Sequence, residues 1–201
     1  MKVSEAVKIT GSMTRTSKMP GLSYSLPAWE CQVGAKLRTV KGSVCSGCYA
    51  LKGNYTRYPA IKAAQYYRLQ SLYNPQWIPA MVAQIKRQKY FRWHDAGDLQ
   101  SVQHLKNIFE VCNRTPGTTH WLPTREVRYT RLMDPAIVPT NLKIIISDHM
   151  IDQKTPVKSW PYTSGVSTKS ATCPAPSQGG KCGSCRQCWD RNVARVVYGK
   201  H

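Results

Sequence analysis

Short strand-like runs that alternate with helix-period segments predict an α/β fold, either a small partial (β/α) barrel or a mostly parallel sheet, with a cysteine-rich C-terminal tail. Two observations carry that expectation. The element order along the chain reads strand, loop, helices, strand, helix, strand, short helix, strand, strand. Polar groups also follow successive strands: His94, Asp95 and Asp98, then Thr124, Arg125 and Glu126, then Asp148 and His149. In parallel α/β sheets, functional residues gather where strands end and loops begin.

Residues 1–20 are polar and basic, and Thr14 to Lys18 show no period, which reads as an N-terminal arm. Leu22 to Ala28 is a first strand ending at Pro27, and residues 31–48 form a Gly-, Val- and Lys-rich loop bounded by cysteines. Pro59 opens a helix with Ile61, Ala64, Tyr67/Arg68 and Leu72 at helical spacing. Asn74-Pro75 breaks the chain, and a second helix covers Trp77 to Arg87. The aromatic run Tyr90 to His94 is a strand.

Ser101 is an N-cap for a helix whose apolar stripe is Val102, Leu105, Ile108, Phe109 and Cys112. Thr115-Pro116-Gly117 ends it. Strands follow at Thr119–Leu122, Asn141–Ser147 and Tyr162–Ser167, and a short amphipathic segment at Asn192–Val197 closes the chain. The division is an arm at 1–20, an α/β domain at 21–171, and a tail at 172–201 packed on that domain.

The 201 residues suffice for one domain with a core or two small ones. The 29 Lys plus Arg against 10 Asp plus Glu give a formal charge of +19. Such a field draws polyanions, so nucleic acid or a phosphorylated ligand is an expected partner. Tyr55, Arg57, Tyr58, Tyr66, Tyr67 and Arg68 interleave aromatics with cations. They read as a nucleic-acid surface or as a helix packing face. Met1 to Ser12 holds no long apolar run, and Leu142 to Ile146 is far short of the ~20 residues of a membrane span. The expectation is a protein of the reducing cytoplasm with no membrane association, in which cysteines stay thiols unless a metal holds them.

Seven of the eight cysteines form two clusters. Cys31 precedes Cys45-Ser-Gly-Cys48, and Cys173 precedes Cys182-Gly-Ser-Cys185-Arg-Gln-Cys188. Thiolates two residues apart can turn onto one metal site when small residues lie between them. Three thiolates leave one iron of a 4Fe–4S cluster open to a ligand, whereas four close it. Zinc at the tail cysteines, or a zinc site pairing Cys45/Cys48 with Cys182/Cys185, is the alternative. Cys112, on the apolar helix stripe, reads as a core thiol.

The stretches Met19–Cys31, Gly42–Tyr55, Phe91–Ser101, His120–Glu126, Cys173–Pro176 and Lys181–Trp189 resemble the bacteriophage gene product eighty-eight domain family, which is uncharacterised. That resemblance covers Lys18 to His201. More faintly, Cys45-x-x-Cys48-Tyr49-Ala50 resembles the end of the cluster loop of radical S-adenosylmethionine enzymes, though thirteen residues separate Cys31 from Cys45 where that family has three. The resemblance implies a cluster loop after the first strand of a partial barrel. It also implies that Ala96, Gly97 and Asp98 sit where that family holds the methionine part of S-adenosylmethionine.

The expected function is a phage-encoded iron–sulfur protein, a redox or radical S-adenosylmethionine-like enzyme. One or two 4Fe–4S clusters would be held by Cys31, Cys45 and Cys48 and by Cys173, Cys182, Cys185 and Cys188. His94, Asp95, Asp98, Arg125, Asp148 and His149 would position the ligand. The rival is a nucleic-acid-binding protein in which a four-cysteine zinc or iron–sulfur site only braces the fold.

Overall fold

The computed structural model describes residues 1–154 and 160–200. Its centre is one seven-stranded sheet whose spatial order equals its sequence order: β1 (Thr14–Arg15), β2 (Leu22–Tyr24), β3 (Tyr90–Trp93), β4 (Thr119–Thr124), β5 (Leu142–Ser147), β6 (Thr163–Ser167) and β7 (Arg195–Gly199). Only the β1–β2 pair is antiparallel; β2 to β7 run parallel, and the sheet does not close. This is the mostly parallel α/β sheet that the alternation predicts. Parallel pairing puts the carboxyl ends of β2 to β7 on one edge, so the loops after β2, β3, β4 and β5 meet there.

The helices are α1 (Val3–Thr10), α2 (Gln32–Arg38), α3 (Asn54–Arg57), α4 (Pro59–Ser71), α5 (Trp77–Ile85), α6 (Val102–Asn113) and α7 (Val127–Thr130). Period-2 alternation sorts the strand side chains between two covered faces. Tyr24, Phe91, Trp93, Leu122, Ile144 and Ile146 pack under Trp77, Met81, Leu105, Ile108 and Phe109 of α5 and α6. On the opposite face, Trp121 and Ile145 lie beneath Trp189 of the tail, with Met19, Tyr90, Tyr162 and Tyr198 around them. Both faces of β5 are therefore buried, which explains its almost unbroken apolar run. Its one cation, Lys143, is 1% exposed and donates to the carbonyls of Gln187, Asp190 and Val193 at 2.6–2.8 Å. This clamp holds the tail on the sheet.

The α6 N-cap is as expected: the Ser101 hydroxyl accepts the His104 N–H at 3.0 Å. Four local expectations are corrected. Residues 3–10 of the expected arm are helical, because Ala6 fits against Ala80 and Ala83 of α5 and Gln84 donates to Thr10. The 31–48 loop contains α2 and a 3₁₀ turn at Val44–Gly47. The groups that hold α2, described below, are far away in sequence. The amphipathic end expected at Asn192–Val197 is an edge strand at residues 195–199, paired to β6. The first strand spans three residues, not seven. Among the described residues, no helix is long and apolar enough to cross a membrane.

Candidate metal centres at the sheet edge and under the tail

The chain leaves β2, makes a 3₁₀ turn at Ala28–Glu30, and reaches Cys31 at the start of α2. The fully buried Glu126 carboxylate, from the loop after β4, accepts the N–H groups of Gln32 and Val33 at 3.1 and 2.8 Å. It thereby caps the helix that carries Cys31. The Cys45–Cys48 turn is fixed from the other side. Val44 N–H donates to the His149 carbonyl at 2.9 Å, and the Ser43 hydroxyl accepts the Ser46 N–H at 3.0 Å.

Gly34 sits between these two segments. A Cβ there would lie 2.8 Å from Cys31 Cβ, 3.7 Å from Cys31 Sγ and 3.8 Å from Cys45 Sγ. The bare α-carbon therefore leaves a cradle flanked by two sulfurs. Burial pushes the Cys31 thiol well up, and the charges of Asp98, Cys48 and Cys45 push it further, while Arg38 opposes. Cys45 is raised by burial too, against the pull of Arg125 and Arg38. The three expected thiols thus share one electrostatic site with two guanidinium groups.

Of the expected polar residues, Asp98 and Arg125 join this site. Asp98 accepts from Leu99 N at 2.8 Å, Thr124 Oγ1 at 2.6 Å and Arg125 N at 2.9 Å, tying the β3 and β4 ends together. Burial raises its carboxyl to about 6 in spite of those bonds. Arg125 Nε donates to the Asp148 carbonyl at 3.1 Å.

The others are placed elsewhere. Asp95 is anchored by the hydroxyls of Ser25 and Tyr55 at 2.9 Å each. Asp148 pairs with Arg195 at 2.5 Å, over Gly165, whose hydrogen leaves room for the pair. His149 contributes its backbone to the cysteine turn. His94 has a positive φ of 55° and lies buried, its ring 5.2 Å from that of His104 on the helix side of the sheet. Ala96 offers its carbonyl to Leu26 N at 2.8 Å, and Gly97 is pressed on Leu26.

The tail cysteines converge as well. Cys173, Cys182, Cys185 and Cys188 line one small pocket with Pro174, Ala175, Gln187, Trp189 and Val196. Cys188 Sγ lies 3.2 Å from the Tyr198 hydroxyl, and burial raises its thiol to about 11. All eight cysteines are free thiols, and Cys112 is in the helix-side core as expected. Among the described residues, no three His, Cys, Asp or Glu side chains are gathered tightly enough to chelate a single metal ion.

Arg92 was not singled out from sequence. Strand alternation is the signal that could have found it, because Phe91 and Trp93 face the helices and so turn Arg92 to the tail. Its guanidinium stands over Trp121 at 4.5 Å and reaches Met19 Sδ and the Tyr49 hydroxyl, each at 3.5 Å, while Nε has no acceptor. Burial raises the thiols of both Cys182 and Cys188, and the Arg92 charge opposes that rise. It therefore stands between the tail pocket and Tyr49, the neighbour of Cys48.

No curated protein and no solved structure matches this chain. A family model described as Gene product 88 does, over residues 2–191 and so through both cysteine clusters, and the protein belongs to that phage family.

Proposed function

We propose that this protein is a phage iron–sulfur enzyme in which Cys31, Cys45 and Cys48 hold an open 4Fe–4S cluster that takes an S-adenosylmethionine-like ligand. The observation that carries this reading is the cradle at Gly34, flanked by the sulfurs of Cys31 and Cys45 at the carboxyl edge of the first parallel strand. A cluster binds each thiolate to a different iron, so it suits sulfurs that stand apart better than a zinc ion does, with its ~2.3 Å bonds to every ligand. When bound, such a cluster supplies an electron and a coordination position for a small ligand.

The chain's own residues do the rest. Glu126 fixes the helix of Cys31, Asp98 holds the two neighbouring strand ends, and Arg38 and Arg125 offset thiolate charge. Loading must expel protons from Cys31 and Cys45, whose raised proton affinity makes metal retention weaken as pH falls. The tail cysteines are assigned to a second, closed 4Fe–4S centre. Supporting this are their shared pocket and the Arg92 cation, which has no ion-pair partner among the described residues and would face an anionic metal–thiolate group.

The test is anaerobic purification. The protein should be brown and contain iron and sulfide, and with S-adenosylmethionine and a strong reductant it should release 5′-deoxyadenosine. The Cys31→Ala/Cys45→Ala/Cys48→Ala variant should lose that reaction and retain metal at the tail. Colourless protein with stoichiometric zinc would refute the cluster. Intact iron without 5′-deoxyadenosine would refute the radical chemistry.

Gly34→Ala is a subtler expectation. A methyl group there fills the cradle, so metal content should drop to that of the triple variant, although circular dichroism still reports a folded protein. Undiminished iron would show that the cradle is not where the cluster sits.

A further inference from the structure

Helix α4 buries polar groups beside its leucines and leaves tyrosines outside. A helix on a protein surface ordinarily buries its apolar stripe. Here Leu69 and Leu72 pack on the core, but the fully buried residues are Gln65, Arg68 and Ser71, while Tyr66 and Tyr67 face solvent at 43% and 46% exposure. Of the ten large hydrophobic side chains that are exposed among the described residues, five are tyrosines, and all five fall between Tyr49 and Tyr73. Packing accounts for two of them, because the Tyr67 hydroxyl donates to the Lys8 carbonyl of α1 and the Tyr49 hydroxyl to the Asp95 carbonyl.

Tyr58, Lys62 and Tyr66 recur every four residues, so they form one stripe about 12 Å long on the open side of α4. The stripe lies beside the candidate cluster site. At one end, Tyr66 receives a 2.6 Å hydrogen bond from the indole of Trp29, which lies two residues before Cys31. At the other, the Arg57 guanidinium lies 5.8 Å from the Tyr58 ring, and Tyr55 below it binds Asp95.

Charge points the same way. From Cys31 to His94, 64 residues contain 11 Lys or Arg and not one Asp or Glu. Lys52, Arg57 and Lys62 are exposed around the tyrosines. Aromatic faces set among cations, beside a site and without a covering element, match the bases and phosphates of an unpaired strand: every base has a face to stack, and its phosphate lies within reach of a cation. A duplex hides those faces. A small phosphorylated metabolite would need one pocket, not an open stripe.

We infer that single-stranded nucleic acid binds along Tyr58, Lys62 and Tyr66 of α4 and is thereby led past Trp29 to the Cys31 site. That this strand is the substrate rests on the enzyme reading above; the binding stripe itself does not.

The experiment uses the full chain purified without oxygen, with iron measured on each sample and binding followed by anisotropy of a labelled oligothymidine, its RNA counterpart and a duplex of equal length. Single strands should bind more tightly than the duplex. Tyr58→Ala and Tyr66→Ala should each weaken binding about tenfold or more, while Tyr58→Phe, which keeps the stacking face, should not. Arg57→Gln and Lys62→Gln should each lower the salt slope by about 1, and Lys106→Gln, on α6, should leave it unchanged.

Equal binding by the alanine variants, or preference for duplex, would overturn the proposal. So would an equal slope change at Lys106. Colourless protein that still binds through the tyrosines would uphold the stripe and refute the cluster. Brown protein without binding would do the reverse.

Discussion

Acidification to pH 4.5 should cost the fold about 5 kcal/mol through two histidines alone. His104 and His120 are 3% and 0% exposed, and burial lowers each to about 3 from an ordinary 6.5. Below pH 6.5 the unfolded chain therefore binds protons that the native protein refuses. Their contribution is fully present above that pH and is lost as pH falls toward 3. At pH 4.5 each ring costs about two pH units, or roughly 2.7 kcal/mol, and the pair matches the total stability of a marginal domain. His94, lowered by burial and by the charges of His104 and Arg92, adds in the same direction. Because His104 Nε2 has no partner, His104→Phe removes an ionisable group without orphaning a strong hydrogen bond. Its acid unfolding midpoint, followed by far-ultraviolet circular dichroism, should move to lower pH. An unchanged midpoint would mean that carboxylates or metal loss govern acid unfolding.

Gly97→Ala should be strongly destabilising for a single added methyl group. Gly97 has φ 81°, and a Cβ would lie 2.6 Å from Leu26 Cβ and 2.8 Å from the Leu26 carbonyl carbon and oxygen. The left-handed backbone and the clash with another backbone together cost about 3 kcal/mol or more. The pair cannot simply separate, because Leu26 N donates to Ala96 O at 2.8 Å and joins the exits of β2 and β3, one leading to Cys31 and the other to Asp98. The expected result is insoluble or thermally labile protein that holds little metal. A folded variant with normal metal content would show that these exits can part without disturbing the cysteines.

The polar groups after the strands are a measure of what the chain reveals unaided. Their position at one edge follows from parallel topology, and the alternation of elements makes that legible. Their individual fates do not follow. Asp98 and Arg125 face the cysteines, whereas Asp148 is drawn off by Arg195, a residue 47 positions away. Asp95 is taken by Ser25 and Tyr55, and His94 turns under the helices through one positive φ. Each outcome is set by a partner that sequence distance hides. Helix α2 was illegible for the same reason, since its cap is Glu126. So was the burial of Gln65, Arg68 and Ser71 in α4, because spacing does not show which polar groups find partners inside.

By itself, then, the sequence determined the α/β class, the α4, α5 and α6 helices, the N-cap at Ser101, the β5 strand and the grouping of seven cysteines, because each rests on short-range periodicity, local caps or spacing. Only the tertiary structure decided that Gly34 lies against two sulfurs, that four tail thiols share one pocket with Trp189, and that Arg92 stands between that pocket and Tyr49. Those are matters of which surfaces meet, and a folded chain settles them by burial and charge among residues that its sequence keeps far apart.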